Sequence, residues 1–196
     1  MFILASGSPR RKELLRQINA QFEIRISTAE ELAGDGISPA VMVEKNAAAK
    51  AQAVSRLYPN QAVLGADTVV SLDGHTYGKP GSREEAIRML KAFSGRVHQV
   101  FTGIAWVYND HLFTDVVRTD VEFASLADTE IERYVRSGEP MDKAGAYAIQ
   151  GAAAEFIVGI HGSYSNVVGL PLNATVRLAR KAGVNMYGGY GEGFTP

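Results

Sequence analysis

The chain has 196 residues, of which 46% are hydrophobic and 21% charged, a globular composition that excludes a fibrous or largely disordered protein. With 20 Lys and Arg against 21 Asp and Glu the net charge is -1, so the basic footprint of a nucleic-acid binder is missing and no nucleic-acid partner is expected. Cysteine is absent, which rules out disulfides, thiolate metal sites and a cysteine nucleophile, and agrees with a reducing compartment.

Residues 2–5 are a short apolar run, followed by Ser8-Pro9, an N-cap with proline at the first helical position, where its missing N–H costs nothing. A strand, a tight loop and a helix are predicted, the helix burying Leu14, Leu15 and Ile18. The beginning lacks the basic lead and long apolar core of a signal peptide, so a cytoplasmic protein is expected. Ser38-Pro39 repeats the start signal and opens an alanine-rich helix over 40–57, which carries Lys50. Residues 61–72 read as a strand ending at Asp73-Gly74, a strong hairpin signal, and this puts Asp67 inside or beside a strand. Ser82 and Glu85 form a capping-box pattern ahead of an amphipathic helix closed near Gly95.

Residues 97–108 and 112–124, rich in β-branched and aromatic side chains, flank Asn109-Asp110 and predict a long antiparallel hairpin, so the sheet is mixed. A helix starts at Asp128 and stops at Gly138, a last strand covers 155–160, and a last helix covers 172–182 up to Gly183. The longest stretch free of Asp, Glu, Lys and Arg, 156–176, has spanning length but contains His161, Asn166 and Pro171; it reads as strand, loop and helix start, with no membrane partner. The fold class is α/β: one domain over 1–184 with a mixed twisted sheet flanked by helices, and a Gly-rich tail, 185–196, expected to be mobile.

Phosphate chemistry has one candidate loop. Residues 6–11 join small residues, Ser6, Gly7 and Ser8, to a helix N-terminus whose dipole favours anions, and Arg10 and Arg11 add two cations suited to phosphate oxygens. A capped surface helix with two solvated arginines explains the same residues equally well. Neither the Walker pattern nor Gly-x-Gly-x-x-Gly is present. Asp67 lies in the apolar run Gly65-Ala66-Asp67-Thr68, where a carboxylate is disfavoured unless something requires it, a metal or local backbone amides. Glu30-Glu31 is an acidic pair that could touch a metal or simply be solvated, and Lys50 and Lys79 are either phosphate ligands or surface lysines. His75, His98, His111 and His161 have no zinc-ligand spacing and read as structural or exposed, and the serine-hydrolase elbow is missing.

Five segments together resemble the Maf family: Leu4-Ala5-Ser6-Gly7-Ser8-Pro9-Arg10-Arg11, Gly65-Ala66-Asp67-Thr68-Val69-Val70, Gly78-Lys79-Pro80, Asp142-Lys143-Ala144-Gly145-Ala146-Tyr147 and the run from Gly162 to Pro171. They occur in family order from residue 4 to about residue 180. The resemblance implies a two-lobed α/β fold, shared with inosine triphosphatases, with a cleft between the lobes. It also implies nucleoside triphosphate pyrophosphatase activity dependent on a divalent cation, Mg²⁺ or Mn²⁺, and a possible homodimer. Arg10, Thr68 and Gln150 match the pattern of the branch acting on dTTP and UTP, where they would select the substrate. Ala148 departs from that pattern, in which glycine is more usual.

In the mechanism that fits this resemblance, Asp67 and Glu31 hold the metal and Asp67 accepts a proton from water attacking the α-phosphorus. Ser6, Ser8, Arg11, Lys50 and Lys79 would bind the phosphates. The rival reading is a nucleotide-binding regulator of septum formation without significant catalysis, and a third is a pyrophosphatase that clears modified nucleotides.

Overall fold

The first apolar run forms β1 (Phe2–Leu4) and leads through a tight loop into α1 (Pro9–Gln17) in the computed structural model, which describes residues 1–34 and 36–188. Then follow β2 (Phe22–Ile24), α2 (Pro39–Ser55), β3 (Val63–Leu72), β4 (His75–Tyr77), α3 (Arg83–Phe93), β5 (Val97–Tyr108) and β6 (His111–Phe123). After α4 (Asp128–Arg136) come three 3₁₀ turns, Glu139–Asp142, Ala144–Ala146 and Ala152–Phe156, then β7 (Ile157–His161), α5 (Tyr164–Val168) and α6 (Leu172–Lys181). The seven strands make one mixed sheet in the order β2-β1-β3-β5-β6-β7, with β4 paired to the far end of β3. β1 runs parallel to β2 and β3, and the remaining pairs are antiparallel.

Local signals account for most boundaries. Ser38 and Ser82 cap α2 and α3 by accepting from Val41 N and Glu85 N. The expected capping box of α3 is only half formed, because the Glu85 carboxylate reaches Gly81 N at 2.7 Å. Ser8 is placed as an N-cap but makes no side-chain cap bond.

Four segments differ from the sequence expectation. β2 was not foreseen, since a three-residue strand offers no period to read; it exists because β1 provides an edge. The last strand starts at Ile157, after 152–156 winds into a 3₁₀ turn that buries Ala153 and Phe156. The Gly- and Ser-rich stretch before α6 forms α5, capped by Ser163 through Asn166 N. In the expected tail, Met186 is buried and its carbonyl accepts from Gln21 N at 2.8 Å, while residues 189–196 lie outside the described residues.

The core is divided along the strands, and this division creates the site. Leu64 and Ala66 of β3 belong to a cluster with Phe2, Trp106 and Leu178, whereas Val70 and Leu72 of the same strand pack with Phe93, Val121 and Tyr134. Asp67 and Thr68 fall at the junction. β3 pairs with β1 at Leu64 and with β4 from Val70 on, so between these points only β5 flanks it.

α2 lies so close to the sheet that no side chain fits beneath it at Gly65 and Gly103. A Cβ added to Gly65 would lie 2.2 Å from Ala47 O, and one on Gly103 2.2 Å from Val43 O. Gly103 is the register partner of Asp67, so the close approach brings α2 onto Asp67.

His98, fully buried on β5, stacks on Phe93 at 4.5 Å and shares a 2.8 Å hydrogen bond with the Tyr147 hydroxyl. Burial lowers its pKa from 6.5 to about 4, and its place among these rings fits the structural one of the two readings, structural or exposed, left open by spacing. Between those two values the unfolded chain binds the proton and the folded chain does not, so stability rises with pH across that window and is lost as pH falls through it. In His98→Phe the slope of unfolding free energy against pH should lose about one proton's contribution in this window, read by denaturant unfolding at several pH values.

Candidate active site

A cleft of about 670 Å³ opens over the junction in β3 and is lined by the loop before α1, by α2, and by segments 78–79, 142–150 and 167–169. All the candidate site residues meet there: Ser6, Ser8, Arg10, Arg11, Glu31, Lys50, Asp67, Thr68, Lys79 and Gln150. Five cations, Arg10, Arg11, Lys50, Lys79 and Lys143, face three carboxylates, Glu31, Asp67 and Asp142, and the N-terminus of α1 adds its dipole. That balance suits a polyanion. Lys143 was quoted only as part of a motif, and its place in the cleft depends on a turn that spacing does not show.

Asp67 is 8% exposed and both of its oxygens are engaged. Lys50 Nζ donates to Oδ1 at 2.7 Å and Asn46 Nδ2 donates to Oδ2 at 2.9 Å. Lys50 Nζ also pairs with Glu31 at 2.8 Å, so the two carboxylates expected to hold a metal converge on one positive charge. Two carboxylates directed to one point are hard oxygen donors of the kind a divalent cation takes, and Lys50 Nζ lies at that point. Among the described residues no group of three or more His, Cys, Asp or Glu could hold a metal ion.

Asn46, a partner of Asp67 outside the cleft lining, is a residue that sequence reasoning missed. It is buried, and besides Asp67 it binds the backbone of Leu32 twice, accepting from N at 2.7 Å and donating to O at 3.0 Å. It therefore fixes the loop that presents Glu31. The available signal was an amide four residues before Lys50, on a helix stripe otherwise made of Val43, Ala47, Ala51 and Val54.

Thr68 points to the opposite face of the strand and joins a second network. Arg11 is buried, donating from Nε to Gly169 O at 2.9 Å, from Nη1 to Ser6 Oγ at 3.0 Å and from Nη2 to Thr68 Oγ1 at 3.0 Å. Burial lowers the Arg11 pKa, and the Asp67 charge opposes that shift. Three of its five N–H groups are committed to the protein, and two are left for a ligand. The Thr68 hydroxyl also meets Thr102 at 2.9 Å.

Arg10 is separated from Arg11 in environment as well as position. It reaches across the cleft to Asp142 at 3.8 Å, and Asp142 is held below its ordinary pKa chiefly by its hydrogen bond from Lys143. Lys79 and Gln150 are exposed at the rim. Gly145 N donates to Gly78 O at 3.0 Å, tying the Lys79 segment to the segment that leads to Gln150. Among the described residues no helix is long and apolar enough to cross a membrane.

The family model described as "Maf-like protein" matches residues 1–182. A protein of Symbiobacterium thermophilum named dTTP/UTP pyrophosphatase is 51% identical over 187 residues, covering 95% of this chain and 96% of its own length. Proteins of the same name from Pelotomaculum thermopropionicum and Bacillus mycoides are 47% and 48% identical, covering 94% and 89% of this chain and 97% and 92% of their own lengths.

Proposed function

The chain belongs to the Maf family, and from that membership we propose that it hydrolyses dTTP and UTP to the monophosphate and pyrophosphate. The observation that carries this reading is the pairing of Asp67, a buried carboxylate with both oxygens fixed, with a cation-lined cleft at a helix N-terminus. Asp67 accepts a proton from the attacking water, which adds to the α-phosphorus as the bond to the β-phosphate oxygen breaks and pyrophosphate leaves. Arg11, Lys50, Lys79, Ser6, Ser8 and the N-terminus of α1 offset the charge that develops on the leaving phosphates. Asp67 and Glu31 would hold a divalent cation, Mg²⁺ or Mn²⁺, which would neutralise charge and lower the pKa of water. Asn46 holds Asp67 and the Glu31 loop in a fixed relation, so the base needs no reorganisation.

Gln150, Arg10 and Thr68 select the substrate, Gln150 at the base and Thr68 through its bond to Arg11. Gln150→Ala should lower the ratio of kcat/KM for dTTP over dGTP by about tenfold, because a lost base contact acts on discrimination. Steady-state kinetics on both nucleotides measures this, and an unchanged ratio removes Gln150 from the role.

A nucleotide-binding regulator would need phosphate donors but no base, and the double fixation of Asp67 favours catalysis. Pyrophosphate release across a panel of canonical and modified nucleoside triphosphates, with and without Mg²⁺ or Mn²⁺, tests the proposal; tight binding without turnover would favour the regulator. The absence of cysteine supports placing this activity in the cytoplasm, and the family resemblance supports a homodimer.

A further inference from the structure

Two side chains outside the cleft hold the turn that carries Gln150. Gly151 N donates to Ala148 O at 3.0 Å, closing a turn whose two central residues, Ile149 and Gln150, line the cleft. Each flank of this turn is tied to a different side chain. Ala148 N donates to the Tyr134 hydroxyl at 3.3 Å, and Ala152 N donates to Glu139 Oε2 at 3.1 Å. The two anchors are joined in turn, because the Tyr134 hydroxyl donates to Glu139 Oε1 at 2.9 Å.

The anchors are themselves held in place. Tyr134, on α4, is 3% exposed and packs its ring against Phe156 with centroids 5.3 Å apart. Burial, with the Glu139 carboxylate behind it, raises the Tyr134 pKa, so its proton stays in the bond to Glu139. Glu139 N donates to Ser137 Oγ at 3.2 Å, which fixes the start of its 3₁₀ turn. The fit around the carboxylate is close: a Cβ added to Gly151 would lie 2.0 Å from Glu139 Oε1.

We propose that Tyr134 and Glu139 act as one positioning unit for substrate selection, setting the height of the 148–152 turn and with it the reach of Gln150 into the cleft. This rests on the reading that Gln150 meets the base. Neither anchor lines the cleft. Their effect passes through two backbone N–H groups, and losing either bond lets one flank of the turn relax. A loosened turn accommodates a larger base and grips the smaller one less well, so the loss falls on discrimination and on KM.

The test compares kcat/KM for dTTP and dGTP in Tyr134→Phe, Glu139→Ala, Glu139→Gln and the double variant Tyr134→Phe/Glu139→Ala, with Gln150→Ala made in parallel. Tyr134→Phe and Glu139→Ala should each lower the dTTP over dGTP ratio by about five- to tenfold, mainly through KM for dTTP. Glu139→Gln keeps an oxygen for Ala152 N and should retain most of the ratio. The double variant should lose no more than either single one, as expected of residues in one network. A ratio within twofold of wild type in both single variants, with melting temperature alone reduced, makes the pair structural and overturns the inference. Additive losses overturn the single unit. An unchanged ratio in Gln150→Ala rejects base reading by Gln150, whereas a changed ratio there beside unchanged anchors rejects only the anchors.

Discussion

Asp67→Asn gives a folded protein whose release of pyrophosphate from dTTP falls by about a thousandfold or more. The amide has nearly the shape of the carboxylate but cannot take a proton from water, and it brings one oxygen where Asp67 has two. In the native site those oxygens accept from Lys50 and Asn46. After substitution one of the two donors faces an NH₂ group, and Lys50 keeps Glu31 as its remaining counter-charge. The stability cost is that of one charge-assisted hydrogen bond in a largely buried setting, about 1.5 to 3 kcal/mol. Rate and stability should therefore separate: circular dichroism and cooperative melting persist while turnover disappears. Turnover within tenfold of wild type would show that the proton is taken elsewhere.

The second large effect lies in packing. Gly103→Ala introduces a Cβ 2.2 Å from Val43 O and 2.7 Å from Glu44 N, both backbone atoms of α2, so no side-chain rotation relieves the overlap. The whole helix must lift. Destabilisation of about 3 kcal/mol or more is expected, at or above the upper end for overpacking, which corresponds to a fall in melting temperature of about 6 to 12 °C. Because α2 also carries Asn46 and Lys50, the surviving folded protein should lose activity out of proportion to the unfolded fraction. Gly159→Ala is the control: a Cβ there meets nothing within 4 Å, and both melting temperature and activity should stay close to wild type. Equal behaviour of the two variants would refute the close approach as the reason for Gly103.

Much of the architecture was legible because it depends on short-range rules. Proline after serine placed the starts of α1 and α2, Asp73-Gly74 placed the β3–β4 hairpin, and Asn109-Asp110 placed the β5–β6 hairpin. β2 was not legible, since its pairing is decided by the edge of β1 and not by its own three residues. α5 and the packing of Met186 were missed for the same reason: the segments are rich in glycine and polar residues, and their order comes from contacts distant in the chain.

The candidate site divides in the same way. The loop at 6–11 and Gly65-Ala66-Asp67-Thr68 were singled out by their residue types, Lys79 and Gln150 by the family resemblance, and the cleft gathers all of them. Residue chemistry alone did not divide their labour; the family resemblance implied it, with Arg10 set to selection and Arg11 to phosphate. Arg10 and Arg11 are adjacent, yet a step of about 100° around the helix sends one across the cleft to Asp142 and buries the other beneath Ser6 and Thr68. Asp67 and Thr68 are adjacent on a strand whose side chains alternate, so one joins α2 and the other joins Arg11.

The sequence by itself therefore determined most of the longer elements and the chemical types available, because capping, turn chemistry and hydrophobic period act over a few residues. Only the tertiary structure decided that Lys50 sits between Asp67 and Glu31, that Asn46 locks that arrangement, and that Tyr134 and Glu139 stand behind the Gln150 turn. Those relations join residues from different elements. They depend on how closely α2 can approach the sheet over Gly65 and Gly103, a distance set by side-chain volume in three dimensions and not by spacing along the chain.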